Sequence, residues 1–327
     1  MSDETAAAAG TVETTGGAID ASEMGLTLIH EHLRVRDEAV AENWPGRYDD
    51  QAEMDAALEA TRAAQQHGVR TIVDPTAMFG GRDVRFMHSV AEQTGVNVVA
   101  CTGIYTYDFL PHYFENRDED TIASHFVDDI EKGCQGTAIK AAFLKCAADE
   151  AGVTPNVEKV HRACARASLQ TGAPIMAHSM PAVGTGPRQV EIFLEEGVSP
   201  EKIQIAHCGD SPDPDYIEGL LDKGVYAGLD RYGLDMYQPI GQRNEVAAEL
   251  LRRGHAERLV ISQDHCATID WFPPEVQEQL LESPAIHNWS FTLIFEEVIP
   301  WLRDQGVMDD EVFETIFVAN PARWLAH

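Results

Sequence analysis

Eight short apolar runs punctuate the chain, and each is followed by a longer stretch whose apolar positions recur every three or four residues. The runs are LTLIHEHL (26–33), TIVDPT (71–76), VNVVACTGIY (96–105), AAFLKCA (141–147), PIMAHS (174–179), IQIAHC (203–208), VYAGLD (225–230) and LVISQD (259–264). Their length and composition predict strands, and their scarcity of polar positions predicts burial on both faces. The intervening segments read as helices. In TPNVEKVHRACARASLQTG, Thr154 can cap a helix with Pro155 at its first position and Gly172 at its end. Val157, Val160, Cys164 and Ala167 then share one apolar stripe. Strand and helix alternating eight times predict an α/β fold, specifically a (β/α)8 TIM barrel. A doubly wound open sheet is the alternative, but no strand–GxGxxG–helix unit occurs, and GTGPRQ at 184–189 is not one. No linker or shift of composition interrupts the pattern, so residues 19–327 read as a single domain.

Almost every run closes on a residue capable of chemistry. Within GLTLIHEHLRV, His30 and His32 are separated by one position and point to the same side of a strand. Two imidazoles projecting together from a buried strand fit a metal site, the plainer reading being a pair of core histidines satisfied by hydrogen bonds. The other runs end on Tyr105, Lys145, His178, His207, Asp230 with Arg231, and Asp264. Barrel active sites lie at the C-terminal ends of the strands, so these residues are expected to converge on one rim. A buried lysine among histidines needs a reason, because an ammonium repels cations and is costly to bury. A neutral amine can instead add carbon dioxide, giving an anionic carbamate able to bridge two metal ions. Lys140 competes for this role, but its odd offset from Lys145 sends it to the opposite face of the strand.

HEHLRV, AAFLKCAADEAGVT, IMAHS, IAHCGDSPD, GLDRYGLD and ISQD together resemble the phosphotriesterase family of the amidohydrolase superfamily, with its lactonase branch the closer match. The resemblance runs in order over residues 24 to 325. It implies two divalent metal ions per chain, zinc above all, with cobalt, manganese or iron as alternatives. His30, His32 and Asp264 would hold the buried ion and His178 and His207 the exposed one, with N6-carboxylated Lys145 and a hydroxide bridging both. Asp264 would also carry the hydroxide's proton to the leaving group. Gln263 departs from the histidine or asparagine that relatives often carry before the aspartate. Tyr105 is expected to reach the bridging oxygen or a substrate carbonyl, against the alternative of simple packing at the rim. Arg231, in DRYG, has the lactonase form of its segment and is expected, with Tyr105, to act on the substrate side as a catalytic and binding residue. The long stretch after Asp264 is expected to shape the pocket, with Trp271 and Phe272 walling an acyl chain. The implied activity is a lactonase opening acyl-homoserine lactones or related lactones, with promiscuous phosphotriesterase activity. A dedicated phosphotriesterase (aryldialkylphosphatase) or other ester hydrolase is the alternative, and a non-catalytic metal-binding protein the third reading. No GxSxG elbow supports a serine hydrolase. The resemblance also implies a homodimer.

Composition narrows the partners. With 54 acidic against 24 basic residues the formal net charge is −30, which opposes binding to nucleic acid or an anionic membrane surface. Residues 1–18 are acidic and lack a hydrophobic segment, so they read as a flexible tail rather than a signal peptide. The six cysteines are scattered, with no paired spacing, as expected of a cytoplasmic protein. So acidic a surface repels itself unless salt screens it, the signature of a halophilic chain. The Debye length shrinks from about 10 Å at 0.1 M to about 3 Å at 1 M. Thermal unfolding is therefore expected at a higher temperature in molar KCl than in dilute buffer, and equal midpoints would remove the halophilic reading.

Overall fold

The computed structural model describes residues 10–327. Each of the eight predicted runs contributes a strand to one parallel sheet: β3 (Thr27–Leu28), β4 (Thr71–Asp74), β5 (Asn97–Gly103), β6 (Phe143–Ala147), β7 (Ile175–His178), β8 (Ile203–Ala206), β9 (Tyr226–Leu229) and β10 (Leu259–Ile261). Neighbours in sequence are neighbours in the sheet, joined by right-sized crossovers. The strands are shorter than the apolar runs, and β3 keeps only two residues of ladder. The ring closes just beyond it. Asp264 N donates to the His30 carbonyl at 3.0 Å, His32 N to His265 at 2.8 Å, and Ala267 N to His32 at 2.9 Å. Outside the sheet lie the helices, among them Asp50–Gln66, Val84–Thr94, Glu119–Glu131, Pro155–Thr171, Thr185–Glu196, Pro214–Leu221 and Ile240–Arg252. The Pro155–Thr171 helix begins and ends as its sequence predicts. Thr154 accepts from the Val157 amide, Gly172 stops it in the left-handed region at φ 80°, and the predicted stripe is buried.

Two apolar layers result. One packs the outer face of the sheet against the helices; the other fills the barrel itself with Ile29, Val73, Val99, Phe143, Met176, Ala206 and Val260. The barrel filling is closed off at the N-terminal ends of the strands by both ends of the chain. Trp324 and Leu325 come from the last helix, and Val12, Ala21 and Met24 from the N-terminal segment. This corrects the expectation of a flexible tail through residue 18. Residues 10–18 take part in an antiparallel hairpin of β1 (Thr11–Thr14) and β2 (Gly17–Asp20). Val12 and Thr14 face inward, Thr14 Oγ1 braces the turn on the Gly17 carbonyl at 2.7 Å, and Thr15 N donates to Val98 O at 2.8 Å. The alternation is only four residues long and sits among small residues, so composition concealed it. Residues 1–9 of the expected tail lie outside the described residues.

Arginine ion pairs lace the acidic exterior. Arg162 reaches Glu158, Glu195 and Glu196, and Arg166 joins Asp120 to Glu196, tying three consecutive outer helices. Such networks suit arginine's forked donors better than lysine's single ammonium. Among the described residues all six cysteines are free, five of them buried, and no helix is long and apolar enough to cross a membrane. Trp324 is 1% exposed and lies against Phe143 with ring centroids 5.6 Å apart. Trp324→Ala should cost about 3–5 kcal/mol of folding stability by denaturant titration. A loss below about 1 kcal/mol would mean that the barrel floor does not depend on it.

Candidate metal centre

The strand ends bring the predicted residues to one mouth. Lys145 stands on β6, beside Gly103 on β5. Gly103 is there because a Cβ would lie 1.9 Å from the Lys145 carbonyl oxygen, so the two strands could not approach. His178 is the last residue of β7. His207 and Asp264 follow β8 and β10 in the left-handed region, at φ 65° and 53°, where side-chain-bearing residues are uncommon. These departures turn both side chains off the strand direction into the mouth. His30 Nε2 is 3.3 Å from both Lys145 Nζ and Asp264 Oδ1, and His32 Nε2 is 3.2 Å from Asp264 Oδ1. One donor atom each from His30, His207 and Asp264 lies within 4.8 Å of the others.

Each ring is held by the nitrogen it turns away. Asp230 takes His30 Nδ1 on one oxygen and His207 Nδ1 on the other, both at 2.9 Å, and accepts the His207 amide at 2.7 Å. Thr76 Oγ1 holds His32 Nδ1 at 2.6 Å. His178 differs, because both its nitrogens are engaged: Nε2 with Asp149 at 2.6 Å and Nδ1 with the Tyr105 hydroxyl at 3.0 Å. Its ring packs 4.5 Å from that of His207 but lies outside the tight cluster. Lys140, by contrast, is part-exposed and pairs with Glu13.

The protonation states suit a divalent cation. Burial lowers His30, with Lys145 adding to the effect; burial and Arg231 push His207 well below the usual imidazole range. Burial brings His178 down to about 4 against the opposing pull of Asp149. For Asp264 burial opposes ionisation, but His30, His207 and Arg231 outweigh it and hold the carboxyl well below its ordinary value. Burial also lowers Lys145, toward the neutral amine. Imidazoles lowered away from the protonated form, a carboxylate held toward ionisation and a buried amine are a donor set suited to a metal.

Above the cluster a cavity of about 130 Å³ is lined by His32, Asp264, Tyr105, Arg231, Trp271 and Phe272, together with other apolar side chains. Tyr105 touches Tyr107, His178 and Trp271, and burial keeps its phenol protonated. Arg231 is buried, with Nε on Asp264 at 3.0 Å and Nη1 on Asp210 at 3.0 Å. The segment after Asp264 lines the cavity as its length implied, through Trp271, Phe272 and a helix at Pro274–Leu281. Four supporting residues escaped sequence reading. Asp230 was visible only as a polar strand end, although an aspartate there, buried beside two histidines, is the usual partner of ligand imidazoles. Asp149 and Thr76 gave no pattern signal. Glu31 did: a carboxylate on the far side of a buried strand must find donors.

The described chain matches the Phosphotriesterase family over residues 10–325. It is 49% identical over 311 residues to the aryldialkylphosphatase of Saccharolobus solfataricus, covering 94% of this chain and 97% of that protein. It is 39% identical over 320 residues to a phosphotriesterase homology protein of Mycobacterium tuberculosis, covering 95% and 96%. The solved structure of the phosphotriesterase from Mycobacterium tuberculosis superposes with a TM-score of 0.91 at 38% identity, over 96% of this chain and 98% of that one. With a buried histidine–carboxylate cluster at the mouth of a (β/α)8 barrel and likeness along nearly its whole length, this chain belongs to the phosphotriesterase family.

Proposed function

We propose that this protein is a binuclear metal-dependent hydrolase that cleaves phosphotriesters. The observation that carries the reading is the cluster of His30, His207 and Asp264 beside an apolar cavity that Asp264 itself lines, with His32. The aryldialkylphosphatase and phosphotriesterase names of the relatives support the substrate class. His30, His32 and Asp264 would hold one ion and His178 and His207 the other. Lys145 would join the two as its carbamate, formed from the neutral amine and carbon dioxide with release of one proton. His178 would offer Nδ1, the nitrogen now shared with Tyr105, and keep Nε2 on Asp149. When bound, the metal pair supplies a hydroxide at neutral pH and polarises the electrophile's oxygen. Asp264 is the base placed to receive the proton and return it to the leaving group, and Arg231 keeps it ionised and aimed. Tyr105, a protonated phenol, donates a hydrogen bond toward the substrate's oxygen.

A lactone is the second reading, and the apolar lining of the cavity supports it. A phosphotriester must seat three substituents, whereas a lactone needs a ring site and a channel for one chain, which the apolar side chains around Trp271 and Phe272 would border.

Two measurements test these assignments. Lys145→Ala should lose bound metal by elemental analysis and lose activity with it, while Lys140→Ala keeps both; a fully metallated Lys145→Ala would remove the carbamate. With metal content matched, kcat/KM for an aryl dialkyl phosphate should exceed that for a medium-chain lactone by about tenfold or more, roughly 1.4 kcal/mol of transition-state binding. The reverse ratio would establish the lactone reading, and turnover of neither by metallated protein would point to a binding protein.

A further inference from the structure

Glu31 lies between His30 and His32, just beyond β3, and its carboxylate meets Ser262 and the amides of Gln263 and His265. Its carboxylate is completely buried, and the donors it meets are neutral. Oε1 accepts from Ser262 Oγ at 2.7 Å and from the Gln263 amide at 2.9 Å, while Oε2 accepts from the His265 amide at 2.8 Å. The two amides flank Asp264. This is the seam of the barrel, where β3 and β10 share no regular ladder. The same stretch is gripped twice more, by Asp264 N on the His30 carbonyl and by His30 N on Ser262 Oγ at 3.2 Å. Asp264 itself sits at φ 53°, a conformation that persists only where its surroundings impose it.

We propose that Glu31 is the positioning residue for Asp264: by holding the amides on both sides of it, the carboxylate sets the direction in which the Asp264 side chain enters the mouth. The inference rests on the reading of Asp264 as a metal ligand. The need is for two acceptor oxygens. An amide in place of the carboxylate would set an NH2 group either against the Gln263 amide or against the His265 amide, so one flank of Asp264 would lose its acceptor in either orientation. Glu31 does not line the cavity; it reaches Asp264 through the backbone of residues 263–265, and His30 only through Ser262 Oγ, which the Ser262→Ala comparison isolates.

The test compares Glu31→Gln with Ser262→Ala, which removes one donor but neither flanking amide. The probe is Co²⁺ alone, with affinity measured by elemental analysis after dialysis against chelator-buffered Co²⁺ and ligand geometry read from its visible absorption. Circular dichroism and thermal unfolding report on the barrel. Glu31→Gln is expected to fold, to bind Co²⁺ at least about tenfold more weakly, as loss of a supporting partner does, and to change the absorption spectrum. Ser262→Ala should do less. A folded Glu31→Gln with unchanged affinity and spectrum overturns the proposal. If Glu31→Gln does not fold, Glu31→Asp carries the same measurement: weakened binding supports the proposal, and unchanged binding overturns it. Collapse of both variants also overturns it, leaving Glu31 a barrel-closing residue only. Wild-type protein that binds no Co²⁺ overturns the metal reading, and this proposal with it.

Discussion

One buried carboxylate organises the mouth of the barrel. Asp230 has no exposure, and a charge so placed is tolerated only when paired and hydrogen-bonded. Burial opposes its ionisation, but His207 and His30 outweigh that and hold the carboxyl well below its ordinary range. By binding Nδ1 of both rings, Asp230 leaves Nε2 of each as the remaining donor. It therefore sets the tautomer and the aim of imidazoles that come from β3 and β8, elements far apart in sequence.

From that point a chain of alternating charge runs outward through the protein. Asp264 meets Arg231, Arg231 meets Asp210, and Asp210 meets Arg243, which is itself buried and donates to the Gln238 carbonyl. Each charge is paired with the next, so the Asp264 carboxylate is held by a partner that is itself held. The left-handed residues His207 and Asp264 are affordable in this setting because the network over-determines their positions.

The two ends of the barrel divide the work. The floor is apolar and closed by Trp324, Leu325 and the N-terminal hairpin, where burial contributes stability. The mouth is polar, and it departs from regular strand geometry at the seam between β3 and β10. The first strand keeps two residues of ladder, and side-chain acceptors such as Glu31 and Asp74 take over from main-chain pairing: Asp74 Oδ2 accepts from the Leu33 amide at 3.0 Å. Irregular backbone at the mouth frees side chains to converge, and a well-packed floor lets the mouth be irregular.

Much of this was legible in the chain itself. The eight runs LTLIHEHL to LVISQD determined the strand order, because buried parallel strands must be nearly continuous in apolar residues and must alternate with amphipathic helices. The Thr154–Pro155–Gly172 pattern determined both ends of a helix, since capping is a local matter of hydrogen bonding and left-handed backbone. The polar residue closing each run placed the candidate site on one rim. Tertiary structure alone decided the rest. The hairpin at residues 11–20 is stable only because its Val12 meets a barrel floor built from distant strands. That His178 is engaged on both nitrogens while His30, His207 and Asp264 crowd together depends on Asp149, Tyr105 and Asp230, partners up to 200 positions away. Periodicity reports which face of an element is buried; which neighbour a buried polar atom finds is set by the closing of the ring.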